Sequence, residues 1–328
     1  MYQKAYGIIE TLAPLHVGAS AGEETGNLNL VFRDQFTQTG IIPGSSIRGR
    51  LRADMRLEEK AKAKTDNKLA QNHQTETQQT PSNEANELEK DNQTETQGTP
   101  SNETREKAQE QLSLVEYWYG KDAKPGKADS TTEGMVKIEY ASILWLPIYC
   151  PSQPVVLVTC PALLKRYQKL AGKPKDKIEP YSYYVPPGIK KPERPALFFN
   201  LGCLPLKKEE DKLKEYTKEI ESIQEYLVLV VKDTEMAMIH DMGLYRQSRV
   251  ALKEDQKTVA GTSFFNVEAL PEGTILVFPI ALRTSAQDNN PWEKFVEDSQ
   301  INHSKELYFG GLESVGFGHT NVILKKTA

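Results

Sequence analysis

Two stretches of this 328-residue chain carry side chains that could grip an anion. The first runs Ile42-Pro43-Gly44-Ser45-Ser46-Ile47-Arg48-Gly49-Arg50-Leu51-Arg52. Ser45 reads as the N-cap of a helix, because Ile47, Leu51 and Met55 recur every four residues on one face. The free N–H groups of such a helix start attract anions. Ser45 and Ser46 add hydroxyl donors, and Arg48, Arg50 and Arg52 add charge for phosphate oxygens. A plain capped helix with solvated arginines fits the same residues. Gly49 favours the binding reading, since glycine inside a helix costs about 1 kcal/mol and permits close backbone approach.

The second stretch is Gly310-Gly311-Leu312-Glu313-Ser314-Val315-Gly316-Phe317-Gly318-His319-Thr320. Glycines at this density let main-chain amides approach a polyanion, with Phe317 or His319 placed to stack on a base. A tight turn before a last strand, Asn321 to Leu324, explains the glycines equally well. No Gly-Lys-Ser/Thr closes the loop, which argues against nucleotide hydrolysis. A third region, from Lys165 to Arg194, interleaves Lys173, Lys175, Lys177, Lys190, Lys191 and Arg194 with Tyr181, Tyr183 and Tyr184. As a mobile loop it would suit single-stranded or kinked nucleic acid; as a solvated surface loop it would need no ligand.

Signals for catalysis are poorer. His240-Asp241 offers a base and an orienter, but on a strand the two would point to opposite faces, which favours structural roles. His16 ends the first predicted strand, within reach of a bound strand of nucleic acid. The three cysteines, Cys150, Cys160 and Cys203, lack the spacing of a thiolate zinc site or a disulfide framework, and no metal site is predicted.

These residues need a scaffold, and the flanking patterns supply one. Strands are predicted over Lys4–His16, Val136–Ile148, Pro154–Thr159, Leu227–Val231, Ser248–Leu252, Ser263–Ala269 and Thr274–Leu282. A helix is predicted from Leu213, Tyr216, Ile220, Ile223 and Leu227, which form one apolar stripe. Without βαβ alternation, the class is α+β with a largely antiparallel sheet. Residues 57–111 interrupt it. They are rich in Gln, Thr, Asn, Glu and Lys, contain an eleven-residue tandem repeat (Gln74–Glu84 and Gln93–Glu103), and read as a disordered or partly helical insertion. The net charge of −4 therefore averages an acidic segment with basic ones. No run approaches a membrane span and no signal peptide is seen, so a cytoplasmic protein without membrane contact is expected.

In combination these motifs resemble the RAMP superfamily of CRISPR-associated proteins, in particular the repeated backbone subunit of type III complexes of the Cmr kind. Thr11–Gly18, Ile41–Arg52, Val158–Tyr167 and the C-terminal glycine loop carry the likeness, and Val158–Tyr167 is specific to the Cmr type. Weaker matches at Tyr119-Gly120, Gly134–Pro147 and Glu268–Pro271 extend it over most of the chain outside the insertion. The resemblance implies one domain over 1–328 with a modified ferredoxin-like, RNA-recognition-type fold, stacked as a filament on guide RNA. Partners would be guide RNA, single-stranded target RNA and other effector subunits. Ser45, Ser46, Arg48 and Arg52, with Gly311, Gly316 and Gly318, fall where that family grips the guide backbone. Residues 165–200, with Lys190, Lys191 and Tyr183, would form the thumb that kinks the guide–target duplex.

Many such subunits cut the target with an aspartate in the loop after the first strand, five residues before an arginine. Counting back from Arg33, that position holds Leu28. The expectation is a subunit that binds without cutting and needs no cofactor. The alternative is a divalent-metal (Mg) endoribonuclease in which a one-residue bulge brings Asn29 or Glu24 into the role. A further alternative is a stand-alone guide-processing nuclease using His16 or His319 as acid–base groups. The insertion is expected on the outer face of a filament, or on a subunit present once.

Overall fold

The computed structural model describes residues 1–18, 28–76, 113–121, 131–151, 153–200, 202–252, 259–284 and 290–327. The chain divides into a larger unit, Met1–Leu51 with Met135–Ala328, and a smaller one, Arg52–Gly134.

The larger unit is built on β1 (Tyr2–Thr11), where alternating and β-branched residues pair on both edges. Its Ile8 lies opposite Val277 of β14 (Ile275–Arg283) and Ile323 of β16 (His319–Lys326), both antiparallel. Beyond β14 come β5 (Ala141–Cys150), β6 (Gln153–Thr159) and β11 (Leu227–Val230). Short strands β7 (Ser182–Tyr184) and β10 (Lys208–Glu209) close that edge, and β15 (Lys305–Tyr308) closes the other. Two further short strands, β3 (Ile41–Ile42) and β4 (Val136–Ile138), pair with β5 and β14. A separate sheet orders β12 (Tyr245–Leu252), β13 (Val259–Ala269) and β2 (Leu28–Asn29), and β8 (Ala196–Phe199) pairs with β9 (Gly202–Pro205). Among the named pairings only β6 with β11, β7 with β10 and β2 with β13 are parallel, so the α+β, largely antiparallel expectation holds.

One face of the main sheet is covered by α3 (Pro161–Ala171) and a pair of short 3₁₀ turns, Asp211–Tyr216 and Glu221–Glu225. Tyr6, Trp145, Tyr167, Tyr216 and Ile223 pack there with Ile8 and Val277. Within this core the Glu219 carboxylate accepts the hydroxyls of Tyr6 (2.7 Å) and Tyr167 (3.0 Å) and meets Lys173 at 2.8 Å. Burial alone would raise the Glu219 pKa; these donors outweigh it and hold it below the usual carboxylate range.

Several expectations need correction. The stripe from Leu213 to Leu227 is buried as expected, but it is two 3₁₀ turns leading into β11 rather than one α-helix. Spacings of three and four serve either geometry, and β-branched Thr217 lies at the break. His240-Asp241 lies on helix α4 (Asp233–Gly243), not on a strand. The region 165–200 is not a single loop: it holds the end of α3, β7 and β8.

In the smaller unit, helix α1 (Gly44–Glu76), which opens in the larger unit, continues well into the predicted insertion. From Leu57 to Gln71 the residues are mostly Ala, Glu, Lys, Leu and Gln, with no Gly or Pro to stop it. Residues 77–111, with nearly all of the repeat, lie outside the described residues. A short helix α2 (Leu114–Tyr119) is capped by Ser113, whose Oγ accepts the Glu116 N–H at 3.2 Å. Glu59 Oε1 accepts the Leu114 N–H at 3.0 Å.

Candidate nucleic-acid interface

The helix start differs from its predicted cap. The Pro43 carbonyl accepts the N–H of Ser46 (3.0 Å) and Ile47 (3.2 Å), so the helix opens at Gly44 and Ser45 is its second residue rather than its N-cap. Gly44 is required there: a Cβ would stand 2.6 Å from the Ile138 carbonyl oxygen. Ser45 is exposed and Ser46 half-buried, while Gly49 has no atom within 4 Å of where a Cβ would sit. Gly49 thus leaves open surface between half-buried Arg48 and Arg50. Arg52 belongs to the smaller unit, where its Nη2 donates to the Gly120 carbonyl at 3.4 Å.

The C-terminal glycines act mainly on the chain itself. Gly311 N donates to the His16 carbonyl (3.1 Å) and Gly318 N to that of Pro14 (2.8 Å). At Gly310 (φ 81°) a Cβ would come 2.1 Å from the His16 oxygen, and at Gly318 (φ 83°) 2.2 Å from the Phe309 oxygen. The loop is thereby clamped onto the segment after β1. Gly311 and Gly316 have open space where a Cβ would be.

Phe317 is 3% exposed and packs against Val267 and Ala269, which corrects the expectation that its ring stacks on a base. The Arg249 guanidinium covers that ring at 4.9 Å and donates to the Val315 carbonyl at 3.2 Å. His319 is half-exposed, stacked on Tyr308 at 4.9 Å with an interplanar angle of 14°, and 2.9 Å from Glu306. His16 is buried, and its Nδ1–H donates to the Glu268 carbonyl at 2.6 Å.

On the face of β13 opposite Val267, Ala269 and Phe317 sits a charged network. Glu268 is buried, with its two carboxylate oxygens divided between Arg33 Nη2 (3.2 Å) and Arg246 (Nε 3.2 Å, Nη2 3.1 Å). Arg33 Nη1 also meets Asp241 at 2.5 Å, and Arg246 Nη1 donates to the Asp241 carbonyl at 3.0 Å. Behind them, buried His240 accepts the Gly40 N–H on Nε2 at 2.9 Å. Burial, reinforced by the nearby Arg33 guanidinium, pulls its pKa down to about 4, so it is neutral at pH 7. β12 is polar along its length and so marks no single face; Arg246 and Arg249, three residues apart, lie on opposite faces of it, with Glu268 and with Phe317 respectively. Their approach to Phe317 and Glu268, however, is a long-range consequence of the sheet.

Leu28 lies in β2, its backbone beside Asn266 of β13, and Asn29 pairs with Val267, the neighbour of Glu268. Glu24 lies outside the described residues. The donor set suits a divalent cation poorly. Asn29 brings an amide, while Asp241 and Glu268 are occupied by arginines, and no cluster of three metal-binding side chains occurs among the described residues.

In the third region the tyrosines are mostly core. Tyr181 and Tyr184 are buried, the Tyr181 hydroxyl donates to Glu235 at 2.6 Å, and Tyr183 is half-buried in β7. Lys190 pairs with Glu193 at 2.7 Å and Lys191 with Glu209 at 2.8 Å.

The RAMP superfamily model matches residues 8–321. The chain belongs to the RAMP superfamily. Among solved structures it is similar to a chain of the type III-B Cmr-beta complex bound to cognate target RNA (TM-score 0.63, 15% identity, 99% of this chain and 98% of that one). It is also similar to oligomeric Cmr4 from Pyrococcus furiosus (TM-score 0.60, 17% identity, all of both chains). These likenesses establish a shared fold. No protein of curated function matches the chain. No helix among the described residues is long and apolar enough to cross a membrane.

Proposed function

We propose that this RAMP protein is a guide-RNA-holding backbone subunit of a type III CRISPR effector complex, which positions guide and target RNA without cutting. The observation that carries this reading is the interface at the end of β1. The clamped glycine loop leaves open space at Gly311 and Gly316 beside the Arg249 guanidinium, and Glu268 holds a second guanidinium, Arg246, on the other face of β12. Guanidiniums braced by a carboxylate and an aromatic ring suit phosphate recognition. Its neighbours in fold are a Cmr4 and a subunit of a complex bound to target RNA. In this reading the sheet and its covering helices follow a modified ferredoxin-like plan, and Ser45, Ser46, Arg48 and Arg50 take further phosphates. Lys190 and Lys191 would exchange their glutamate partners for phosphates of the duplex. Other effector subunits would be its protein partners, in the cytoplasm.

The leucine at position 28 supports binding without cleavage. The test is target-RNA cleavage by the assembled guide complex with divalent metal, comparing wild type with Glu24→Ala, Asn29→Ala and Leu28→Asp. Unchanged cutting in the alanine variants and a new cut from Leu28→Asp are expected. Loss of one cut in either alanine variant would make this subunit a nuclease.

A further inference from the structure

The lysines between 165 and 177 divide into two kinds once their partners are known. Lys173 is held by Glu219 at 2.8 Å and Lys177 by Glu179 at 2.7 Å. Lys165 and Lys169, four residues apart on α3, and Lys175 beyond its end are exposed, and no carboxylate pairs with them among the described residues. All three line one cleft of about 860 Å³ between α3 and the segment that follows it. Leu164 and Ile178 form its apolar wall. Asp176, the one acidic residue among the described residues of that lining, is taken by Lys212 at 2.8 Å.

Uncompensated cations gathered about a concavity repel one another, and an anion in the cleft relieves that repulsion. The size falls within the ~300–1,000 Å³ of ligand sites. Lysine binds phosphate as a point charge, whereas recognition of a planar carboxylate favours the arginine fork, and no arginine lines the cleft among the described residues.

The cleft is remote from the glycine-loop part of the interface described above. The Thr327 hydroxyl donates to the Leu170 carbonyl at 2.9 Å, which ties the end of α3 to the end of β16. His319 is at the start of β16, and that strand, at ~3.3 Å per residue, separates the two surfaces by roughly 25 Å.

We propose that this cleft is a second phosphodiester site, taking three or four nucleotides of single-stranded nucleic acid with Lys165, Lys169 and Lys175 on the two or three phosphates between them. The ligand is either the protruding end of a strand held elsewhere in an assembly or a free short oligonucleotide.

The test is fluorescence anisotropy with a labelled uridine trinucleotide and a labelled long single-stranded RNA. It compares wild type, Lys165→Ala/Lys169→Ala/Lys175→Ala and Arg246→Ala/Arg249→Ala, with folding checked by circular dichroism. The triple variant should lose at least tenfold in affinity for whichever probe uses the cleft. Its salt slope should fall by about 2 for the long strand, three phosphate contacts at ~0.7 each, and by about 1.4 for the trinucleotide, which has two phosphodiesters. Loss for the trinucleotide indicates a free ligand; loss for the long strand alone indicates a strand end. The arginine variant should leave the lysine-dependent part of the salt slope unchanged, which separates this site from the guide-holding surface. Wild-type affinity of the triple variant for both probes would overturn the proposal, as would a glutamate peptide competing as well as the trinucleotide.

Discussion

The carboxylate of Glu268 and the guanidinium of Arg246 face each other across the β12–β13 ladder at 3.1 Å, and the same carboxylate holds Arg33 at 3.2 Å through its other oxygen. The carboxylate is buried, whereas Arg246 is half in water. Glu268 thus spends its burial on fixing where two cations point. That is a useful arrangement for a surface that must meet phosphates in one register, because side-chain entropy is lost before the ligand arrives.

Glu268→Ala removes the shared acceptor. Breaking a buried pair costs about 3–5 kcal/mol, but here Arg246 can turn to water, so a loss of about 2–3 kcal/mol is expected. The urea midpoint should fall accordingly. RNA affinity should fall with it under conditions where the variant is fully folded.

The glycine loop separates packing from binding. Gly310→Ala should destabilise by more than ~2 kcal/mol, since the residue is left-handed and its Cβ would collide with the His16 carbonyl. Gly311→Ala meets nothing within 4 Å and should stay within ~0.5 kcal/mol of wild type. Thermal unfolding of the two variants side by side checks this. Equal losses would mean that the clamp onto His16 is not what the glycines serve.

Much of this was legible beforehand, and the exceptions have physical reasons. The long strands announced themselves through β-branched alternation, and Ile47, Leu51 and Met55 are buried as their spacing predicts. The 3₁₀ turns at 211–225 were unreadable because a stripe at spacings of three and four does not distinguish them from an α-helix. Phe317 looked available because it sits among glycines; only the approach of β13 buries it. Arg249 and Glu268 acquired meaning from partners dozens of residues away, which no local pattern encodes.

His240 should make stability depend on pH. Its pKa is about 4 in the fold against an ordinary 6.5, so between these values the unfolded chain binds the extra proton. The contribution is fully present above pH 6.5 and is lost as pH falls towards 4, to a total of about 3 kcal/mol. In His240→Gln that part of the slope should vanish. Urea titrations from pH 7 to pH 4 on both proteins measure it, and an unchanged slope would assign the acid sensitivity to other groups.

The arginines at the interface should register as counterion release. Arg246→Ala and Arg249→Ala should each weaken guide-RNA binding and lower the slope of log K against log salt by about 0.7–0.9, one phosphate contact apiece. Arg249→Ala also uncovers the Phe317 ring, so a modest loss of stability accompanies it. Arg249→Lys separates the two effects: it keeps the charge, and with it most of the salt slope, while losing the flat stack on the ring and the bond to the Val315 carbonyl. A salt slope lowered as much by lysine as by alanine would show that Arg249 positions the glycine loop rather than touching phosphate.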